Sequence, residues 1–207
     1  MHPRVYREFE RICSERRVGG SILEIGAVPS NKSLLCMKSL ANATEKIGLN
    51  LDGPHEFKDF KILKGNANFM ECFENNRFDA VLCNATLEHD KYFWKTIGEI
   101  KRVTKPGGLI VIGTPGYAKL KQEKFKSLLR RVPWVRMLRS SPYLNMFFTG
   151  TITFQIHNYP GDYYRFSPQA FEEVFFEGMN DVEVSLMMVP PRIIGVGRKS
   201  ESQANTS

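Results

Sequence analysis

Short apolar runs and segments of helical spacing alternate along the first half of the chain. The runs SILEIG, EKIGLNL, KILKGN, FDAVLCN and LIVIGTP have the length and composition of buried strands. Apolar residues recur at helical spacing in residues 3–17, 33–40 and 92–103, which predicts three helices. Strands that alternate with helices predict a parallel sheet with right-handed crossovers.

The alternation lapses after residue 116. Residues 117–148 are basic and aromatic, and we expect an inserted basic helical cap at about residues 117–150. The run SPQAFEEVFFEGM predicts a further helix, with Ser167 as its N-cap and Pro168 at its first position. The runs DVEVSLMMV and RIIGVGRK are close together, which predicts a closing hairpin.

These elements predict an α/β fold class. We expect a Rossmann-like, seven-stranded, mostly parallel sheet with an antiparallel closing hairpin, helices on both faces and the inserted basic helical cap. The prediction is a single domain over residues 1–198, followed by a disordered tail over residues 199–207, because KSESQANTS has nothing to pack. A chain of 207 residues is long enough to bury one core of this size.

Composition excludes several classes of protein. No apolar run approaches the ~20 residues that a bilayer-spanning helix needs, and the charged start MHPRVYREFERICSERR is unlike a signal peptide. The four cysteines are far apart and contain no CxxC pair, so we expect free thiols in a reducing, cytoplasmic compartment. The histidines and acidic residues show no metal-ligand spacing, and no metal is expected.

The net charge of +7 belongs to one stretch, which we call the basic segment. Eight basic residues and the single acid Glu123 lie between Lys119 and Arg139, so the rest of the chain is neutral. Three interpretations remain open: a solvated helix face, a cap that attracts an acidic acceptor, or a peripheral membrane contact. No clear nucleic-acid partner is indicated, because NATLEH lacks the [DN]-P-P-[FY] motif of enzymes that methylate base amino groups.

Candidate binding residues stand where the predicted parallel strands end. In open parallel sheets, ligands bind at the carboxyl ends of the strands, near the point where strand order reverses. Most of these tips combine a small residue or glycine with a polar side chain, which suits a flat ligand that the backbone must approach closely. The tips contain Glu24, Gly26 and Ala27, then Asn50 and Asp52, then Asn66 and Ala67, and finally Asn84.

The ordered motifs LEIG, GLNLDG, GNA, FDAVLCNATLEH and EIKRVTKPGGLIVIGTPG resemble those of class I S-adenosylmethionine-dependent methyltransferases. The similarity is strongest to the small-molecule branch with FDxV, LEH and KPGG motifs, and it covers residues 21–116. The segment HNYPGDYYRFSPQAFEEVF also resembles bacterial members. The resemblance implies S-adenosyl-L-methionine as cofactor and methyl transfer to a small-molecule or carbohydrate-like acceptor. An acidic acceptor would be attracted by the positive charge of the basic segment.

The resemblance also assigns cofactor contacts. Glu24 and Gly26, with Ala27 in the same turn, match the motif that meets the methionine part of the cofactor. Asn50 matches the position that binds the ribose hydroxyls. Asn66 matches the position that holds the adenine amino group.

Three further positions complete the implied site. Ala67 would supply a backbone contact, Asn84 matches the strand tip that faces the sulfonium, and His89 closes the LEH motif. The structural alternatives remain open for all these positions: a plain strand-to-helix loop at Gly26, loop-forming asparagines, and a pair Glu88-His89 that only caps the following helix.

The chain departs from the family pattern at several of these positions. Val28 and Ser30 replace the usual second and third glycines, and Asn50 and Asn66 replace carboxylates. Hydrogen bonds to charged acceptors contribute about 1.5–3 kcal/mol against about 1 kcal/mol for neutral ones, so these changes predict weaker cofactor binding. Asp52 could supply the missing ribose carboxylate by reaching back.

Two histidines are candidates for a catalytic base, because imidazole takes up a proton near neutral pH. His157 is the first candidate and His89 the second. Tyr163 and Arg165 are candidate acceptor contacts. The alternatives are an aromatic lid packed on the sheet, and for Arg165 an ion pair with Asp162.

Two competing functions also follow from the sequence. The altered glycine turn and the two asparagines are consistent with a degenerate, non-catalytic methyltransferase fold that serves as a binding or scaffold protein through its basic cap. A nicotinamide-dependent enzyme is disfavoured because G-x-G-x-x-G is absent.

Overall fold

An eight-stranded mixed sheet forms the centre of the computed structural model, which describes residues 1–117, 153 and 161–201. The strand order is β3-β4-β2-β1-β5-β6-β8-β7. The strands are β1 (Gly20–Ile25), β2 (Ala43–Asn50), β3 (His55–Phe57), β4 (Phe60–Lys64), β5 (Phe78–Asn84), β6 (Thr104–Pro115), β7 (Asn180–Met188) and β8 (Pro191–Arg198).

The predicted parallel sheet is confirmed, with one strand more than expected. β1 pairs in parallel with β2 and β5, and the parallel arrangement continues to β4 on one side and β6 on the other. β7 and β8 form the predicted antiparallel hairpin, and β8 pairs with β6. The expected count of seven is wrong because β3 adds a short antiparallel edge strand beside β4. Its three residues are too few to give a readable alternation.

Helices cover both faces of the sheet, as predicted. α1 (Pro3–Glu15) buries Val5, Phe9 and Ile12 on one face, and α2 (Phe93–Val103) buries Ile97 and Ile100 on the other. Alternate residues of β5 and β6 point to these two cores, which is why the central strands read as continuous apolar runs. The third helix, α3 (Pro168–Ala170), continues directly into a π-helical turn (Phe171–Phe175).

Ser167 is the N-cap of α3, as the sequence predicts. Its hydroxyl accepts a hydrogen bond from the Ala170 N–H at 3.2 Å, and Pro168 occupies the first helical position. The first turn of a helix leaves its N–H groups without partners, so a capping oxygen and a residue without an N–H both suit this end.

The helix predicted over residues 33–40 is wrong. Two 3-10 turns replace it, over Leu34–Cys36 and Lys38–Leu40. The Ser33 hydroxyl and the Leu34 and Leu35 N–H groups all donate to the buried carboxylate of Glu24. This interaction fixes the first turn against β1, and the extended backbone of Met37 separates the two turns.

The predicted tail is wrong for its first two residues. Lys199 and Ser200 are buried. The Lys199 ammonium donates to Asn76 Oδ1 at 2.8 Å and to the Thr104 carbonyl at 2.9 Å, and its backbone pairs with Gly107 and Gly108. The structure describes only residue 117 of the basic cap predicted at residues 117–150, so the basic segment lies outside the described residues. Residues 202–207 also lie outside them. No helix of the described residues is long and apolar enough to span a membrane.

Candidate functional site

A cavity of about 400 Å³ opens at the carboxyl ends of β1, β2, β4 and β5, and we call it the strand-tip cavity. It lies where the strand order reverses. From β1 the chain first builds the sheet outward through β2 and β4, and it then returns to the other side of β1 to add β5 and β6. Six of the residues predicted from the sequence line it: Gly26, Asn50, Asn66, Ala67, His89 and Tyr163. Glu24, Ala27, Asp52, Asn84 and Arg165 do not line it, and His157 lies outside the described residues.

Gly26 turns the chain away from β1 at the floor of this cavity. Its φ of +76° is in the left-handed region, and its N–H donates to the Leu49 carbonyl at 2.8 Å. A Cβ at this position would lie 2.3 Å from Thr86 Oγ1. Glycine is therefore required here both by the backbone conformation and by the close approach of the chain that follows β5.

The residues that replace the usual second and third glycines leave the strand-tip cavity open. Val28 is 40% exposed and does not line the cavity. Ser30 is also absent from the lining, and its hydroxyl accepts a hydrogen bond from the Lys32 N–H at 3.2 Å. The turn after Gly26 runs toward Glu24 and the 3-10 turns, so its side chains do not fill the cavity.

Asn50 has a structural reason to be an amide. Its Nδ2 donates to the Ala27 carbonyl at 2.7 Å, and its Oδ1 accepts from the Asp52 N–H at 3.2 Å. A carboxylate could not donate the first of these bonds, which ties the tip of β2 to the tip of β1. The expectation that Asp52 reaches back is wrong: its side chain is 92% exposed and lies 3.5 Å from His55 Nε2.

Asn66 and Ala67 form the wall at the end of β4. Asn66 Oδ1 accepts a hydrogen bond from the Asn68 N–H at 2.9 Å. The buried amide of Asn68 donates to Asp90 Oδ2 at 2.7 Å and to Thr96 Oγ1 at 2.8 Å, so the wall is fastened to the start of α2. Sequence reasoning missed Asn68 and Asp90, although an asparagine two residues after Asn66 is a signal for a side-chain-supported turn.

Glu24 is an anchor for the neighbouring turn, and it does not line the strand-tip cavity. Its buried carboxylate accepts from the Ser33 hydroxyl, from Leu34 N at 3.1 Å and from Leu35 N at 3.4 Å. Burial raises the pKa of this carboxyl to about 7, against the opposing effect of the three hydrogen bonds. Ala27, also buried, contributes its carbonyl to Asn50.

Asn84 points away from the position that the resemblance implied. Its Oδ1 lies 2.7 Å from where a Cβ of Gly113 would stand, beside the ring of Phe9 from α1. Among the described residues, this buried oxygen has no hydrogen-bond partner. Because successive side chains of a strand alternate between faces, the residue at the end of β5 is directed to the α1 side.

His89 is held at the edge of the cavity by contacts on both sides of its ring. Nδ1 contacts the Gly161 carbonyl, which can only accept, so this nitrogen carries the proton. Nε2 lies 3.9 Å from Oε1 of Glu88, a fully buried carboxylate whose pKa burial raises. The Tyr163 N–H donates to the Glu88 carbonyl at 2.8 Å, which ties the loop that bears Tyr163 to the residue before His89.

Arg165 forms the structural ion pair that the sequence left as one of two alternatives. Both of its terminal nitrogens contact Asp162, one of them at 2.6 Å, in a two-point interaction with the carboxylate. The Asp162 side chain is fully buried and that of Arg165 is 8% exposed. Arg165 therefore fixes the loop that bears Tyr163, while its role as an acceptor contact stays a prediction.

Comparisons with known proteins agree with this architecture. Residues 32–112 match the family model described as a methyltransferase domain, whereas a search of curated proteins finds no match. Many solved structures share the fold, and three of them serve as examples. One is a complex of the Haloferax volcanii Trm112 methyltransferase activator with a candidate methyltransferase, at 15% identity and a TM-score of 0.59, covering 95% of this chain and 90% of that one.

The other two are named N-methyltransferases crystallised with S-adenosylhomocysteine. Phosphoethanolamine N-methyltransferase 2 of Haemonchus contortus, which also holds phosphomonomethylethanolamine, is 15% identical with a TM-score of 0.59, over 96% of this chain and 53% of that one. NodS of Bradyrhizobium japonicum is 12% identical with a TM-score of 0.57, over 96% and 87%. The chain thus spans about half of the Haemonchus protein, and at these identities the likeness establishes the fold.

Proposed function

We propose that this chain is a class I methyltransferase that methylates a small-molecule or carbohydrate-like acceptor with S-adenosyl-L-methionine, which its fold and its match to a methyltransferase-domain model over residues 32–112 support. The observation that carries the proposal is the strand-tip cavity at the reversal of strand order. Its volume of about 400 Å³ is within the range of small-ligand sites. When bound, S-adenosylmethionine would supply a methyl group activated by its sulfonium sulfur.

The residues of the cavity fit the polar and apolar parts of this cofactor. Asn50 Oδ1 and Asn66 Oδ1 each accept one hydrogen bond within the protein, and a carbonyl oxygen can accept two. Each oxygen can thus take a further bond from a ribose hydroxyl or an adenine amino group. Ile25 and Leu49 offer apolar walls for the flat ring, and Gly26 lets the backbone approach the methionine part.

His89, which lines the strand-tip cavity, would hold a proton from the acceptor. The Gly161 carbonyl fixes the proton of the neutral ring on Nδ1, which leaves the lone pair on Nε2. Alignment of acceptor and methyl group in a cavity that excludes water contributes the remainder of the rate enhancement.

The rim of the cavity offers surfaces for an acceptor. Tyr92 and Tyr163, both on the rim, are 43% and 55% exposed, and their ring faces suit the apolar side of a small molecule or a sugar. Lys91 stands beside Tyr92 and adds a positive charge to the rim, which favours an acidic acceptor. The basic segment would add to this attraction.

Calorimetric titration with S-adenosylhomocysteine tests the cofactor site. Ala67→Leu puts a large side chain into the cavity and should weaken binding at least about tenfold. Ala41→Leu, at an exposed position away from the cavity, is the matched control and should bind as the original protein does. Absence of binding at millimolar ligand would end the enzyme proposal and favour a scaffold protein with a degenerate site.

The role of the base is tested by release of S-adenosylhomocysteine in the presence of a panel of small hydroxyl and amine acceptors. His89→Asn keeps an amide N–H in place of Nδ1 but removes the basic nitrogen, so we expect turnover to fall about 10²–10⁴-fold with unchanged cofactor affinity. His157→Asn is assayed in parallel. Full activity of the His89 variant with loss in the His157 variant would move the base to His157.

A further inference from the structure

A second cavity, of about 300 Å³, opens at the amino ends of β1 and β5, and we call it the amino-edge cavity. Arg16 and Arg17 reach it from the end of α1, Lys105 and Gly107 from the start of β6, and Arg198 from the end of β8. The six residues of β1 place it roughly 20 Å from the strand-tip cavity. Methyl transfer, as proposed above, makes no use of it.

The amino-edge cavity has more positive charge than its acidic neighbours neutralise. Lys105 is paired with Asp79 at 2.8 Å, and Arg16 with Glu183 at 2.6 Å. Within the described part of the chain, Arg17 and Arg198 have no carboxylate partner. Arg198 Nη1 instead donates to the Gly107 carbonyl at 2.9 Å, which orients its guanidinium along the cavity wall. Two guanidinium groups therefore face one concavity without a counter-charge.

Arg17 also occupies a backbone position that favours glycine. Val18 N donates to the Cys13 carbonyl at 2.9 Å and Arg17 N to the Ser14 carbonyl at 3.1 Å, which is the Schellman ending of α1. Arg17 is the left-handed residue of this motif, with a φ of +52°. Two glycines, Gly19 and Gly20, stand two and three residues further along the chain, yet the left-handed position holds an arginine. Such strain is most common where a side chain serves a function.

The negative end of the α1 dipole accounts for part of this charge, because cations stabilise the last turn of a helix. It does not account for Lys105 and Arg198, which come from two other elements and converge on the same cavity. A single arginine guanidinium can bind two phosphate oxygens at once, and a volume near 300 Å³ accommodates a small phosphorylated molecule.

We propose that the amino-edge cavity is a second binding site, for a small soluble ligand of the phosphate or pyrophosphate class, held chiefly by Arg17 and Arg198. Arg16 and Lys105 keep their acidic partners and contribute long-range attraction. The site is independent of the proposed methyl transfer.

Calorimetric titration of the full chain with pyrophosphate tests the proposal. Arg17→Gly and Arg198→Gln should each weaken binding about tenfold or more, because each removes a charged hydrogen-bond donor. Arg11→Gln is the matched control, since Arg11 lies on the exposed face of α1 and pairs with Glu8 and Glu15. Thermal unfolding separates function from folding: Arg17→Gly should melt at the same or a higher temperature, because glycine suits the left-handed position.

Three results would overturn the inference. The first is no heat of binding at millimolar pyrophosphate. The second is binding of unchanged strength in both cavity variants, which would assign the anion to the basic segment between Lys119 and Arg139. The third is binding to anionic phospholipid vesicles without binding to pyrophosphate, which would make the surface a membrane contact.

Discussion

Gly26→Ala is the substitution whose cost can be worked out most directly from the structure. It adds one methyl group at the turn between β1 and the following loop, on the floor of the strand-tip cavity. The new Cβ would stand 2.3 Å from Thr86 Oγ1, far inside the van der Waals contact distance. The backbone at Gly26 has a φ of +76°, which an alanine rarely adopts.

Two costs add up. Left-handed backbone at a residue with a Cβ costs about 1–2 kcal/mol. Thr86 must also rotate its hydroxyl away, and it then loses long hydrogen bonds to the Ile25 carbonyl at 3.4 Å and the Asn84 carbonyl at 3.3 Å. Such bonds contribute about 1 kcal/mol together. The free energy of unfolding should therefore fall by about 2–3 kcal/mol, which corresponds to a melting temperature roughly 4–12 °C lower.

Urea unfolding of the variant and its control measures this cost. Gly98→Ala is the control, because Gly98 lies in the exposed face of α2 with nothing within 4 Å of the added methyl group, and it should gain about 0.5–1 kcal/mol. In a Thr86→Ala background the hydroxyl and its hydrogen bonds are already absent, so Gly26→Ala should cost only the backbone part there, about 1–2 kcal/mol. A Gly26→Ala variant within about 0.5 kcal/mol of the original protein would refute this reasoning.

Three further substitutions test buried polar contacts. Burial raises the pKa of Glu24 from 4.5 to about 7, so the free energy of unfolding should fall as pH rises through this interval. Glu24→Gln should flatten this pH dependence in urea titrations at about pH 5 and about pH 8. An unchanged pH dependence in the variant would contradict the assignment. Asp162→Asn removes the buried carboxylate that contacts both terminal nitrogens of Arg165 and should cost about 3–5 kcal/mol of unfolding free energy. A loss below about 1 kcal/mol would show that the pair is dispensable. Asn50→Asp brings a carboxylate against the Ala27 carbonyl and should lower the free energy of unfolding by about 1–3 kcal/mol. It should also weaken S-adenosylhomocysteine binding in calorimetry. Tighter binding would show that a charged acceptor at this position matters more for the cofactor than the bond to Ala27.

Much of the sheet could be predicted from local patterns. The central strands β1, β5 and β6 are buried on both faces, so their sequences are continuous apolar runs that stand out from the surrounding chain. Strand β3 could not be predicted, because its three residues are held by pairing with β4 and not by any pattern of their own. The 3-10 turns after β1 depend in the same way on a distant partner, the buried Glu24 carboxylate.

The candidate site shows the same division. The strand tips could be identified in order, and Gly26, Asn50 and Asn66 do line one cavity. The direction of each side chain could not be identified, because it depends on register and on partners far away in sequence. Asn84 faces α1, and Arg165 is neutralised by Asp162, a choice that the sequence left undecided.

The most direct test of the central claim is a titration of the full chain with S-adenosylhomocysteine, followed by amide chemical shifts in solution. Occupation of the strand-tip cavity should shift the backbone signals of Gly26, Ala67 and Thr86 in a saturable way and leave Gly107, at the amino-edge cavity, unchanged. Shifts confined to residues away from the strand tips, or none at millimolar ligand, would contradict the account.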